Sequence, residues 1–100
     1  MIKHIVMWKL KEPETGASKG EAALRIKEVL DGLPGIVPTL RALEVGININ
    51  PSDAADDIVL VTRFDSGADL DAYQIHPAHQ AAAAVIRPLV ATRRVVDYEA

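Results

Sequence analysis

Residues 2–11 read IKHIVMWKLK, and this stretch decides the fold. Its even-numbered residues are apolar except for His4, and this alternation is typical of a β-strand. The opposite face is also apolar at its centre, where Ile5 and Met7 lie. A strand that is buried on one face only would carry polar residues on the other. We therefore expect both faces of this strand to be covered, the second one by another subunit.

The patterns on either side of this strand predict the order β-α-β-β-α-β. Ser18 and Glu21 form a capping box at the start of the first helix, and Gly32 and Pro34 end it. The predicted elements are a strand at 2–11, a loop at 12–17, a helix from Ser18 to Gly32, strands at 39–49 and 58–64, a short helix at 66–74, a helix at 77–90 and a strand at 92–99. This order indicates one α+β domain over residues 1–100, of ferredoxin-like βαββαβ type, with a four-stranded antiparallel sheet and its helices on one face.

Composition and charge exclude several classes of function. The chain has 100 residues, no cysteine and a net charge of −3, so disulfides and cysteine-ligated metals are excluded. Arg93-Arg94 is the only basic cluster, which argues against nucleic-acid binding. No apolar run is long enough for a membrane span, and the N-terminus lacks the build of a signal peptide. We expect a cytoplasmic protein without a cofactor.

His79 and Tyr73 are the strongest candidates for chemistry. On the 77–90 helix His79 is in line with Ala82, Ile86 and Leu89, so it should point inward. The first turn of a helix disfavours imidazolium, which predicts a neutral ring that can accept a proton beside a tyrosine hydroxyl. The alternative is a core histidine that bonds a strand carbonyl or Tyr73.

The other polar candidates have structural explanations. His4 lies on the same strand face as Val6 and Trp8, where a buried histidine with a backbone partner would be ordinary. His76 precedes Pro77 and is expected to cap the helix that begins there.

A metal site is not predicted, although His76 and His79 form an H-x-x-H pair. No acidic third ligand falls in register with them. Asp56 and Asp57 are expected to form the solvated end of a loop before the third strand. The alanine run at 81–84 predicts either close packing on the sheet or space for a pocket that Trp8 fills or lines.

Four segments resemble the stress-responsive A/B-barrel (Dabb) family. They are IKHIVMWKLK at 2–11, DIVLVTRFDS at 57–66, LDAYQIHPAH at 70–79 and VVDY at 95–98. The resemblance implies a ferredoxin-like protomer that dimerises sheet to sheet into an α+β barrel. It also implies a cavity between the sheet and the helices of each protomer.

One plant branch of that family is a polyketide cyclase that closes a ring by aldol condensation with a tyrosine and a histidine six residues later. Tyr73 and His79 match this pair, and His4 matches a first-strand histidine of the same cavity. That cyclase also has a cavity histidine on its third strand, whereas residues 56–64 contain none. Its bulky aromatic helix positions correspond here to Ala22, Ala23 and Ile26.

Three functions remain open at this point. The first is a homodimer that binds a small aromatic or polyketide-like ligand, with Tyr73, His79, His4, Val6, Trp8, Ala82 and Ile86 around the site. The second is a lyase or cyclase that uses Tyr73 and His79. The third is a relative of the cofactor-free monooxygenases built on the same barrel.

Overall fold

The elements follow one another in the order that the sequence predicts, including the two separate helices between the third and fourth strands. The structure is a computed structural model that describes residues 1–13 and 18–100. Its elements are β1 (Ile2–Leu10), α1 (Lys19–Asp31), β2 (Ala42–Ile47), β3 (Ile58–Phe64), α2 (Gly67–Ile75), α3 (Pro77–Ile86), a 3₁₀ turn (Arg87–Leu89) and β4 (Val90–Glu99). The loop predicted for residues 12–17 lies, from residue 14 onward, outside the described residues.

The four strands form one antiparallel sheet in the order β2-β3-β1-β4. The ferredoxin-like α+β prediction is therefore confirmed. β1 lies inside the sheet and pairs with β3 on one side and β4 on the other. Its even-numbered residues from His4 to Leu10 are buried against the helices. The core lies between this inner face of the sheet and the helices. The described helices all pack on the inner face of the sheet and leave its outer face uncovered.

α1 begins and ends as the sequence predicts. The Ser18 hydroxyl accepts a hydrogen bond from the backbone N–H of Glu21 at 3.1 Å, and Gly32 is the C-cap. The helical spacing of apolar residues predicts a buried stripe of Ala22, Ile26, Val29, Leu30 and Leu33. The buried face is displaced slightly from it, because Ala23 is buried while Ala22 and Val29 are only partly covered. Ile26 and Leu30 are buried, as the pattern predicts.

Three of the predicted boundaries are wrong for local reasons. The 77–90 helix ends at Ile86, since Pro88 has no N–H to continue the helical bonds and the chain tightens into the 3₁₀ turn. β4 consequently begins at Val90 and not at residue 92. β2 stops at Ile47, because the Asn48 side chain accepts a hydrogen bond from the backbone of Asn50 and turns the chain.

β4 is an edge strand that no helix covers. Every residue from Ala91 to Ala100 is exposed, whereas the inner residues of β1 and β3 are buried. The helices cover β2, β3 and β1, and the sheet extends one strand beyond them. The inner face of β4 therefore forms an open flank beside α3.

Asp57 is not the solvated loop end that the sequence suggests. Its carboxylate accepts a hydrogen bond from the backbone N–H of Leu10 at 2.7 Å, and its own N–H donates to the carbonyl of Trp8 at 2.8 Å. Lys19 lies 3.8 Å from the same carboxylate. Asp57 thus joins the end of β1, the start of β3 and the first turn of α1.

No helix in the described part of the chain is long and apolar enough to cross a membrane.

We expect Asp57→Ala to lower the free energy of unfolding by about 1–2 kcal/mol, because it leaves the partly buried N–H of Leu10 without its acceptor. Urea denaturation followed by circular dichroism measures the change. Asp53→Ala, in the exposed turn before β3, is the matched control and should change the value by less than about 0.5 kcal/mol. Equal effects of the two substitutions would show that the Asp57 bonds contribute nothing specific.

Candidate functional site

A cavity of about 460 Å³ opens between the inner face of β1 and β4 and the helix α3. It exists because β4 extends beyond the helical layer and because α3 presents alanines where larger side chains would fill the space. Its lining includes all seven residues that the sequence places around a site: His4, Val6, Trp8, Tyr73, His79, Ala82 and Ile86. The geometry brings these residues together, and their roles in binding remain predictions.

The bend at His76-Pro77 positions the two central side chains. His76 ends α2 and caps α3, where its Nδ1 accepts a hydrogen bond from the backbone N–H of Ala78 at 3.0 Å. Pro77 is the first residue of α3, a position that needs no N–H. The bend sets the rings of Tyr73 and His79 against each other, with their centroids 4.5 Å apart.

The hydroxyl of Tyr73 is buried without a hydrogen-bond partner among the described residues. Its side chain is fully covered, and the ring packs on Phe64 with the centroids 5.0 Å apart. Burial raises the pKa of Tyr73 to about 12, because it disfavours the charged phenolate. The positive charge of Arg93 lowers this pKa by a smaller amount. The hydroxyl is therefore protonated at neutral pH and can both donate and accept a hydrogen bond.

His79 is held in one tautomer by the end of α2. Its Nδ1 lies 3.0 Å from the carbonyl oxygen of Gln74, which can only accept, so Nδ1 carries the proton. Burial lowers the pKa of His79, although the Gln74 bond opposes this, and the charges of His4 and Arg93 lower the pKa further. The ring is thus neutral at pH 7, with Nε2 available as an acceptor. His79 thus bonds a backbone carbonyl, as the structural alternative expects, but the carbonyl belongs to α2 and not to a strand. Among the described residues no hydrogen bond joins His79 to Tyr73.

His4 pairs with a carboxylate and not with the backbone, which corrects the ordinary explanation offered above. Its ring is 2% exposed, and Nδ1 donates to the carboxylate of Asp97 on β4. The pairing follows from the register, in which His4 lies directly opposite Asp97. His4 lies edge-on to Tyr73 with the ring centroids 6.4 Å apart. Asp97 therefore fixes the orientation of His4 on the cavity wall.

Sequence analysis missed Asp97, and it also missed Arg87 and Arg93, which line the cavity from the 3₁₀ turn and from β4. The alternation of β4 does separate Val95 and Asp97 from Val96 and Tyr98. It does not say which of the two sets faces the helices. Only the pairing of β4 with β1 decides this.

Within residues 1–13 and 18–100 no three histidine or acidic side chains lie close enough to hold a metal ion. His76 and His79, the H-x-x-H pair, make separate bonds to backbone groups through their Nδ1 atoms.

The fold and the cavity together define a ferredoxin-like α+β protein. Its cavity is lined by His4, which bonds Asp97, by His79 and by the buried Tyr73. The chain belongs to the stress responsive A/B barrel domain family, whose profile matches residues 2–100. The uncharacterized protein SCO4036 of Streptomyces coelicolor is 35% identical over 100 residues, which is 99% of each chain.

Solved structures share the fold. A dimeric protein of unknown function from Bacteroides fragilis, also described as ferredoxin-like, is 34% identical with a TM-score of 0.88. The match covers 99% of this chain and 95% of that one. The hydroxynitrile lyase of Passiflora edulis has a TM-score of 0.79 at 21% identity, over 97% of this chain and 90% of its own. At that identity the likeness is one of fold alone.

We expect Tyr73→Phe to leave the free energy of unfolding unchanged or to raise it by up to about 1 kcal/mol, because the substitution removes a buried hydroxyl that has no partner. Urea denaturation measures the difference. Tyr98→Phe, at an exposed position on the outer face of the sheet, is the control and should change nothing. A loss of more than about 1 kcal/mol in Tyr73→Phe would mean that the hydroxyl is already bonded within the protein.

Proposed function

We propose that this protein is a cytoplasmic homodimer that binds a small organic ligand, aromatic or polyketide-like, in the cavity of each protomer. The observation that carries this proposal is the buried hydroxyl of Tyr73, which has no partner in the described structure and belongs to a ring that packs against His79. Buried polar groups without partners are uncommon in native proteins, and a ligand would satisfy this one.

The outer face of the sheet supports the dimer. Ile5 lies between Val61 and Val96 across the strands, and Met7 lies beside Val59, so one apolar surface crosses three strands. Met7 is 38% exposed and Val96 is 57% exposed in the isolated chain. Ile58 and Leu60, on the other face of β3, are buried in the core and do not contribute to this surface. A contiguous apolar sheet face of this kind is a typical subunit interface.

The cavity supports the choice of ligand. Its volume lies within the range of about 300–1,000 Å³ that is usual for small-molecule sites. The walls that Val6, Trp8, Leu60, Ala82 and Ile86 form are apolar and suit a ring or a short hydrocarbon chain. Three polar rings of the lining, those of His4, Tyr73 and His79, lie next to one another, so that a carbonyl or phenol oxygen bound there would meet the Tyr73 hydroxyl.

A second candidate, a lyase or cyclase, is favoured by the protonation states of the central pair. Neutral His79 can take a proton from a carbon next to a ligand carbonyl, while the Tyr73 hydroxyl donates a hydrogen bond to the carbonyl oxygen. The resulting enolate carbon can then attack a second carbonyl of the same ligand and close a ring. Without a suitable substrate the same groups only bind, so the binding function is the broader proposal.

Met7→Lys should convert the dimer largely to monomer at micromolar concentration, because it buries an unpaired ammonium between two sheets. We expect the dissociation constant to rise about 100-fold. Light scattering and sedimentation velocity measure it. Leu24→Lys places the same charge on the exposed face of α1 and should leave the dimer intact. A monomeric wild-type protein at these concentrations would refute the dimer.

Uncharged ligands test the cavity. Methyl 2,4-dihydroxybenzoate and ethyl benzoylacetate, at millimolar concentration, should raise the melting temperature of wild-type protein by a few degrees. Tyr73→Phe should abolish the shift, because the ligand oxygen loses its donor, and His79→Ala should reduce it. Asp71→Ala, at an exposed position of α2 outside the cavity lining, is the control and should keep the shift. Shifts that persist unchanged in Tyr73→Phe would place the ligand elsewhere.

A further inference from the structure

We propose that the ligand of this cavity is a carboxylic acid, and that Arg93, assisted by Arg87, binds its carboxylate at the mouth. The inference rests on the proposed ligand-binding function and names the class of ligand. Within the proposed site the Tyr73 hydroxyl meets a neutral oxygen, and the two guanidinium groups meet the charged end of the same molecule.

The register of β4 directs Arg93 toward the cavity. Arg93 lies opposite Trp8, whose side chain is on the buried inner face, and residues opposite each other in a sheet share a face. Arg93 and Trp8 both line the cavity. Arg87 reaches the same space from the 3₁₀ turn that follows α3. The two cations thus approach the opening from the sheet and from the helical layer.

Two of the other arginines, Arg94 and Arg41, have ion-pair partners. Arg94 projects from the outer face, where its guanidinium lies 3.8 Å from the carboxylate of Asp56. Arg41, next to β2, bonds Asp65 at 2.8 Å. Neither Arg93 nor Arg87 has an ion-pair partner among the described carboxylates. These two cavity arginines are therefore not neutralised by the protein that surrounds them.

None of the described residues that line the cavity is acidic. Asp97, the acidic group on the same face of β4, bonds His4. Tyr73 stays protonated and His79 stays neutral, and the charge of Arg93 lowers the pKa of both groups. That influence also places the guanidinium within electrostatic reach of the Tyr73–His79 pair. The cavity is consequently cationic at neutral pH, and an anion is the ligand charge that it favours.

The geometry of the groups selects a carboxylate. A guanidinium presents its N–H donors in a planar fork that matches the two oxygens of a carboxylate. The apolar walls between the arginines and Tyr73 fit a ring or a short hydrocarbon chain. An aromatic acid or a β-keto acid has the required order of groups, with an anion at one end and a neutral oxygen beyond it.

Isothermal titration calorimetry on paired compounds tests this assignment. The pairs are 2,4-dihydroxybenzoate with its methyl ester and benzoylacetate with its ethyl ester, at pH 7.5 in low salt. Wild-type protein should bind each acid about tenfold more tightly than its ester. Arg93→Gln should remove this preference and leave the affinity for the ester unchanged. Raising the salt concentration should weaken the binding of the acids alone, because an exposed ion pair is screened.

Arg25→Gln is the matched control, since it removes an exposed arginine from α1, away from the cavity, and should preserve the preference for acids. Equal affinities of acid and ester in wild-type protein, or a preference that survives in Arg93→Gln, would overturn the carboxylate assignment. In both cases Tyr73-dependent binding of the esters would leave the proposed function standing. If neither acids nor esters bind, the proposed function fails, and the assignment of Arg93 fails with it.

Discussion

The alternation of side chains along β1 is the constraint on which the rest of the structure depends. β1 pairs on both sides, so its register fixes the neighbouring strands as well. Its even-numbered residues carry the core and one wall of the cavity, while Ile5 and Met7 carry the apolar outer surface. A shift of one residue would exchange the two faces and place Lys3 and Lys9 in the core. Both the cavity and the proposed interface thus follow from one short strand.

Much of the fold could be predicted from the sequence because it depends on local rules. Capping at Ser18, the break at His76-Pro77 and the period of the strands are each contained in a few neighbouring residues. The boundaries that failed depend on subtler local effects, such as the loss of one helical hydrogen bond at Pro88. The inward direction of His79 was also accessible, since it follows from the stripe of α3.

The rest of the site depends on pairing between distant parts of the chain. Asp97 bonds His4 only because β4 pairs with β1 in a particular register. The residues around position 97 in the sequence do not indicate this partner. The same holds for Arg93, which sits beside Arg94 in the sequence but faces the opposite side of the sheet. The Tyr73 hydroxyl lacks a hydrogen-bond partner among the described residues, and this depends on every element that packs around it. Sequence reasoning can nominate such residues, but their partners come from the assembled sheet.

The pairing of β1 with β4 also determines when the cavity can come into existence. Residues at the two extremes of the chain meet along the whole length of these strands, and the backbone N–H of Ala100 donates to the carbonyl of Met1 at 2.8 Å. During synthesis, β1 leaves the ribosome before β4 and stays without this partner until β4 follows. Until then Val6 and Trp8 lie beside an open strand edge that can pair with other chains. The cavity is therefore complete only after β4 has paired with β1, and until then the edge of β1 is open to other chains.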